Sequence, residues 1–186
     1  MADGGIGRRI VIVLVILAVA IAAFFIYVEK WGGRRKPPPT IEKVPGETRS
    51  VTFFFAGKEA DRLITESREI PVQGGLEEQV RSVVDEFLKG PEKGEAVSAV
   101  PPETKLIQAF WVEDKQTTYL DFNQALVSNH PGGSTAEYYT ITTILKTIKA
   151  NFPQVRFVQF LVEGYPVETI AGHYAVDKPI ELDRWR

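Results

Sequence analysis

The stretch HPGGSTAE, residues 130–137, contains the residue types of a hydrolytic or phosphate-binding site. A hydrolase could use Ser134 as the nucleophile, His130 as the base and Asp121 as the orienting acid. However, the chain has no GxSxG elbow, and no predicted strand leads directly into Ser134. The stretch also matches neither the phosphate-binding pattern GxxxxGK followed by Ser or Thr nor the dinucleotide pattern GxGxxG. A hydrolase centred on His130 and Ser134 is therefore a remote alternative, and no catalytic residue is predicted.

The same residues fit the beginning of a helix. Ser134 and Glu137 match the S/T-x-x-E capping box, in which the serine oxygen accepts a hydrogen bond from a backbone N–H and the glutamate reaches back to the N–H of the cap. Anion binding at this helix start is disfavoured because Glu137 would repel the ligand. The spacing therefore predicts that Ser134 and Glu137 have a structural role.

Metal and ligand sites are only weakly indicated. The two histidines, His130 and His173, lack the HExxH spacing of a zinc site, and the chain contains no cysteine. A cluster of both histidines with Glu137 would form only if the fold brought them together. Phe54 and Trp111 are the candidate surface for a sugar or a peptide, although aromatic residues of strands more often pack under a helix. No cofactor and no metal ligand is predicted.

Two helices and about six strands must position these residues. Apolar residues at helical spacing predict a helix that begins near Leu76 and is stopped by Gly90 and Pro91, and a second helix over about 135–151. Alternating or continuous apolar runs predict strands at 50–57, 62–72, 105–114, 117–124 and 155–164, and a short edge strand within 166–180. The fold class is therefore α+β, a single compact domain with a mixed sheet of four to six strands and both amphipathic helices on one face.

The N-terminal part of the chain has a different composition. Residues 10–28 contain no charged residue, proline or glycine, and about 19 such residues roughly span the hydrocarbon core of a bilayer. We therefore predict a short basic N-terminus at 1–9, an uncleaved transmembrane anchor at 10–28 and a basic proline-rich linker at 29–49. The globular domain is expected at 50–182, with a tail at 183–186.

Charge limits the partners of the two parts. Residues 1–49 carry eight Lys and Arg against four Asp and Glu, whereas residues 50–186 carry fourteen against twenty. The basic segment beside the anchor suits anionic lipid headgroups, and the acidic domain argues against nucleic acid as a partner. Basic residues flank the apolar segment on both sides, so charge alone does not decide which side of the membrane holds the domain.

Six segments in order resemble the GerMN domain, the sporulation and spore-germination family. The first three are FLKGP, AVPPETKLIQAF and YLDFNQAL. The fourth is the start of the second helix, with Gly133 and Glu137, and the last two are TILKTIKANFPQVRFVQFLVEG and AGH. The resemblance covers about residues 50–182. Familiar members often carry a lipid-anchoring cysteine or two copies of the domain, and this chain has neither.

The resemblance implies an extracytoplasmic, membrane-tethered module of the bacterial envelope without known catalysis. It implies structural roles for Asp121, within YLDFNQAL, and for Pro101 in the loop before the hairpin. It implies the same for Gly164 at the end of the central strand and for Gly172 in the last turn. The expected location is the inner membrane, with a single pass through residues 10–28 and the domain outside. The expected partner is an envelope protein, and homo-oligomerisation stays open. A peptidoglycan- or glycan-binding module is the main alternative.

Overall fold

The computed structural model describes residues 14–27 and 47–185. Residues 14–27 form an apolar helix, α1. The predicted anchor at 10–28 extends beyond the described residues at both ends, and most of the predicted linker also lies outside them. Within the two described ranges, no helix is both long enough and apolar enough to cross a membrane. A separate compact unit comprises Pro45–Arg186.

The compact unit contains three α-helices and eight strands among its described residues. The helices are α2 (Leu76–Leu88), α3 (Ala125–Ser128) and α4 (Ser134–Asn151). The strands are β1 (Thr48–Gly57), β2 (Leu63–Pro71), β3 (Ala96–Val97), β4 (Leu106–Val112), β5 (Thr117–Phe122), β6 (Phe157–Val162), β7 (Tyr165–Pro166) and β8 (Ile180–Glu181). A 3-10 turn at Glu113–Lys115 joins β4 to β5. The long predicted helices and strands are thus present, whereas the short α3 and β3 were not predicted.

The strands form two sheets rather than the single sheet that was predicted. The first is antiparallel, with the order β2-β1-β3. The second has the order β4-β5-β6-β7, with β8 also paired to β6. It is mixed, because β5 and β6 are parallel and their connection contains α3 and α4. The prediction of one α+β domain with a mixed sheet of four to six strands agrees with the five-stranded sheet, but it omitted the three-stranded sheet.

One hydrophobic core joins both sheets and the helices. The alternation predicted in β1 is present, since the side chains of Val51, Phe53 and Phe55 are fully buried. The rings of Phe55 and Phe87 stack with their centroids 5.2 Å apart, which fixes α2 against this sheet.

Helix α4 lies along one edge of β1. Asn151 Oδ1 accepts a hydrogen bond from the Thr52 N–H at 3.0 Å, and Asn151 Nδ2 donates to the Thr52 carbonyl at 2.7 Å. The Phe54 N–H donates to Thr147 Oγ1 at 3.1 Å. These side chains take the place of a neighbouring strand, so the helix satisfies backbone groups that an edge strand would leave open.

Helix α2 covers the free edge of β4 in the same way. The Trp111 N–H donates to Glu77 Oε2 at 3.2 Å, and Arg81 Nη2 donates to the Ile107 carbonyl at 2.5 Å. The helices thus cover the edges of different sheets, and α2 also packs against the three-stranded sheet through Phe87, an arrangement that the prediction of one sheet did not include.

Candidate functional site

The loop before α4 turns through two glycines with left-handed backbones. Gly132 has φ 82° and Gly133 has φ 86°, conformations that other residues rarely adopt. Gly133 is the N-cap of α4, and no side chain caps the helix. The predicted capping box is therefore wrong, because Ser134 is the first helical residue and Glu137 lies one position too late to reach back to the cap. Half of such a box occurs at α2, where Glu78 Oε2 accepts from the Gly75 N–H at 2.9 Å.

The Glu137 carboxylate is instead buried beneath the C-terminal loop, with a relative exposure of 0%. Its Oε1 accepts hydrogen bonds from the N–H groups of Ile170 and Ala171, both at 2.9 Å, and its Oε2 accepts from the N–H of His173 at 2.8 Å. Burial alone would raise the pKa of Glu137, but the backbone donors outweigh it and lower the pKa. The carboxylate therefore holds the loop in place as an anion.

His173 contacts Glu137, and His130 lies within range of the Glu137 charge. His173 Nδ1 lies 3.2 Å from Glu137 Oε2. Burial lowers the pKa of His130, and the charge of Glu137 opposes that shift without cancelling it. The metal cluster that the sequence left open is not formed. Among residues 14–27 and 47–185, no group of three His, Cys, Asp or Glu side chains is arranged to hold a metal ion.

Both nitrogens of His130 have structural hydrogen bonds. The Gly132 N–H donates to His130 Nδ1 at 3.0 Å, so Nδ1 carries the lone pair and Nε2 carries the proton. That Nε2–H points at Thr140 Oγ1, 3.1 Å away, and the Thr140 hydroxyl donates to the Ala99 carbonyl at 2.6 Å. His130 is therefore a neutral residue that fastens the loop to α4 and is not free to act as a base.

The Asp121 side chain binds a backbone group away from His130 and Ser134. Its Oδ1 accepts a hydrogen bond from the Gly164 N–H at 2.8 Å, at the tight turn between β6 and β7. Glu163 and Gly164 have φ values of 51° and 84°, and the carboxylate stabilises that turn. Ser134 is exposed at the start of α4. The arrangement of Ser134, His130 and Asp121 therefore gives no nucleophile–base–acid chain.

The loop before α4 forms one wall of a cleft of about 550 Å³. The opposite walls are the end of β1 with the following turn, within residues 56–60, and the segment 97–99, which begins at the last residue of β3. The Tyr139 hydroxyl donates to the Ala60 carbonyl at 2.8 Å, which fixes the turn to α4. Small side chains line most of the cleft, and Val97 is 38% exposed.

The other structural residues lie at the ends of elements. Helix α2 ends at Leu88, and Gly90 follows with φ 86° before Pro91. Pro101 is buried in the loop before β4, where its carbonyl accepts a bond from Thr104 Oγ1 at 2.8 Å. Gly172 has φ 95° within the loop that Glu137 holds.

The two aromatic residues nominated for binding do not form one platform. Phe54 is half-buried on β1, and Trp111 is half-buried on β4, in the other sheet. Sequence reasoning missed a different aromatic cluster, in which the Tyr138 ring lies 6.0 Å from those of both Tyr174 and Trp185. Trp185 Nε1 also donates to Thr142 Oγ1 at 2.8 Å, so residues near the C-terminus pack on α4.

A second buried carboxylate was also missed. Glu66 accepts hydrogen bonds from the N–H groups of Glu92 and Lys93 at 3.0 and 2.7 Å, and from Arg68 Nη2 at 2.8 Å. Burial alone would raise the pKa of Glu66, and these donors lower it instead. The alternation of β2 could have indicated that Glu66 and Arg68 share the inner face with Ile70.

This architecture has relatives among known proteins. A model of the Germane family, described as sporulation and spore germination, matches residues 52–168. The chain belongs to the Germane family. The GerMN resemblance of its motifs is thereby confirmed. No curated protein matches the chain.

Two solved structures share the Germane fold of this chain. A putative lipoprotein from Clostridium perfringens has a TM-score of 0.53 at 23% identity, over 75% of this chain and 91% of that chain. The tandem GerMN domains of the sporulation protein GerM from Bacillus subtilis give a TM-score of 0.54 at 15% identity, over 77% of this chain and 49% of that chain. At these identities the likeness shows the fold alone.

The Germane match ends at residue 168, before the loop that Glu137 binds. The packing of this chain nevertheless continues past that point, because Ile170, Val176 and Leu182 are buried in the core. The C-terminal residues therefore belong to the folded domain.

Proposed function

We propose that this chain is a non-catalytic interaction module of the bacterial envelope, attached to the membrane through residues 10–28 with its domain outside the cytoplasm. The observation that carries the proposal is that the polar side chains most suited to chemistry already have structural partners. His130 uses both ring nitrogens, and Glu137 and Asp121 both hold backbone N–H groups. A domain whose reactive groups are used in this way is better suited to binding than to turnover.

Membership of the Germane family supports a role related to sporulation or germination. The solved structures with this fold include a putative lipoprotein and the sporulation protein GerM, and these descriptions apply to those proteins. Attachment to the membrane rests on the sequence of residues 10–28, which carry no charge.

The cleft beside the start of α4 is the surface that we assign to the protein partner. Its walls come from three separate segments, so it exists only in the folded domain. Val97 gives the cleft an exposed apolar contact, which matches the apolar centre of a protein interface.

A pair of matched substitutions tests this assignment. Val97→Asp places a charge in the cleft, whereas Ile107→Asp places the same charge on β4, where the side chain is similarly exposed at 42%. Each full-length variant is crosslinked in cells, captured and compared with the unsubstituted chain. We expect Val97→Asp to lose the specific envelope partner and Ile107→Asp to retain it.

Several outcomes would contradict the proposal. Equal capture by both variants would remove the cleft from the interface, and failure to recover any specific envelope partner would count against an interaction module. Sedimentation of the chain with purified cell-wall material, unaffected by Val97→Asp, would favour the alternative of glycan binding. Turnover that is lost in His130→Ala would restore the hydrolase alternative.

A further inference from the structure

The outer edge of β2 presents backbone groups in a regular pattern. The Gly57 N–H donates to the Arg62 carbonyl at 2.9 Å, and the Val72 N–H donates to the Glu47 carbonyl at 2.7 Å. The register of β1 and β2 is unbroken between these two bonds. The even-numbered residues of β2 therefore form the backbone hydrogen bonds to β1. The odd-numbered residues, from Leu63 to Pro71, therefore direct their backbone groups away from the sheet.

This edge is long and uncovered. Within the described part of the chain, Ser67 and Glu69 have no backbone partner on that side, and the Thr65 carbonyl receives only a long contact of 3.4 Å from Lys93 Nζ. The side chains of Thr65, Ser67 and Glu69 are exposed. An uncovered strand edge of this length is a template for pairing with another strand.

The other edges differ from that of β2. Side chains of α4 cover β1, and side chains of α2 cover β4. Strands β3, β7 and β8 have only two residues each, whereas β2 has nine. Among the described strands, β2 is therefore the best template for an added strand.

We propose that β2 pairs antiparallel with β2 of a second copy of this chain, about a two-fold axis at Ser67. Ser67 is the middle residue of β2, so this register uses the full strand in both copies. It places Leu63 opposite Pro71 and Thr65 opposite Glu69. Proline has no N–H to donate, so the pairing ends naturally at Pro71. The contact is isologous and closes, as a two-fold dimer requires.

Charge favours a second copy as the added strand. In this register no glutamate stands opposite a glutamate, because each Glu69 faces a Thr65. Lys93 Nζ already lies at the Thr65 carbonyl, so the second copy's Glu69 carboxylate comes next to an ammonium group. A shift that centred the axis on Glu69 would place two carboxylates together, which is unfavourable. The charges of the edge thus favour the register centred on Ser67 over the one centred on Glu69.

Cysteine crosslinking of the full-length chain tests the pairing, because the chain contains no cysteine of its own. Opposed residues of a hydrogen-bonded antiparallel pair have Cα atoms about 5.5 Å apart, within the range that a disulfide spans. We expect Ser67→Cys to shift to the mass of a dimer on oxidation or with a short bis-thiol reagent. Ser128→Cys, an exposed serine on α3, is the control and should stay monomeric.

The register is tested by mixing single-cysteine chains. Thr65→Cys mixed with Glu69→Cys should form mixed dimers, and neither variant alone should crosslink to itself. Ser67→Pro removes an outward N–H, which an edge strand tolerates, and should abolish the dimer in native mass measurements while the circular dichroism spectrum is retained. Dimers of Thr65→Cys alone, or a Ser67→Cys chain as monomeric as Ser128→Cys, would overturn the proposal.

This dimer is independent of the cleft and of its partner. Val97→Asp should leave the Ser67→Cys dimer unchanged, since Val97 lies on β3, at the opposite side of the three-stranded sheet. Loss of envelope capture with an intact dimer, or the reverse, would show which of the two proposals fails.

Discussion

At the scale of single residues, the Glu137 carboxylate is stabilised by peptide N–H groups from a segment more than thirty residues away. Burying an isolated carboxylate is costly, and hydrogen bonds to the charged form reduce that cost. Three such bonds, together with the contact from His173, connect α4 to the C-terminal loop. Glu137 therefore stabilises the contact between two distant parts of the chain.

Replacing Glu137 with glutamine should destabilise the domain by about 2–3 kcal/mol, because the amide loses the charge and turns an NH2 group toward backbone donors. The midpoint of urea unfolding would measure the loss. Ser134→Ala is the matched control on the same turn of α4 and should have almost no effect, since no side chain caps this helix. Equal midpoints for the two variants would contradict the role of Glu137.

At the scale of elements, the helices protect strand edges through side chains that imitate a strand. The Asn151 amide offers one donor and one acceptor, which match the carbonyl and N–H of Thr52. Helix α4 also buries threonines around its circumference, and the Thr143 hydroxyl donates to the Tyr139 carbonyl one turn earlier. This is why α4 can be buried on more sides than its predicted apolar stripe.

Asn151→Ala should expose the edge of β1 and destabilise the domain by about 1–2 kcal/mol, because both backbone groups of Thr52 lose their partner. Hydrogen exchange should show faster exchange of the Thr52 amide. Lys149→Ala removes a neighbouring exposed side chain, whose ion pair with Asp183 lies at the surface, and should change neither quantity appreciably. Unchanged exchange at Thr52 would show that Asn151 does not cover the edge.

At the scale of the whole molecule, acid should weaken the domain in two stages. The pKa values of His130 and Glu137 are both lowered in the folded state, so the unfolded chain binds protons more readily and stability falls as pH falls. For His130 the loss begins as pH drops below the ordinary value of 6.5, and for Glu137 below 4.5. Stability contributed by these groups is fully present above those values.

The first stage can be isolated with His130→Asn, whose side-chain oxygen can still accept from the Gly132 N–H. Unfolding midpoints measured across the range from about pH 7.5 to pH 5 should fall for the unsubstituted chain and stay flatter for the variant. If the unfolding midpoint of the variant changed with pH as steeply as that of the unsubstituted chain, His130 would not be the cause of the first stage.

The long elements of this fold could be predicted from local patterns, because burial imposes the alternation of β1 and the helical spacing of α2 and α4. The tertiary contacts could not. Ser134 and Glu137 match a local capping pattern, yet Glu137 finds better donors at residues 170–173 once the loop has folded over it. Coverage of β1 by Asn151 joins residues 99 positions apart, and no periodicity signals such a pair.

The contacts of α4 with residues beyond 168 also have a consequence for biosynthesis. Strand β1 is made first, but its open edge waits for α4, and α4 in turn waits for the residues around Ile170 and Trp185. A chain that emerges from its N-terminus can therefore complete its core only after the residues up to about Trp185 have been synthesised. Until then the unfinished domain exposes apolar surface, which makes it prone to aggregate during synthesis.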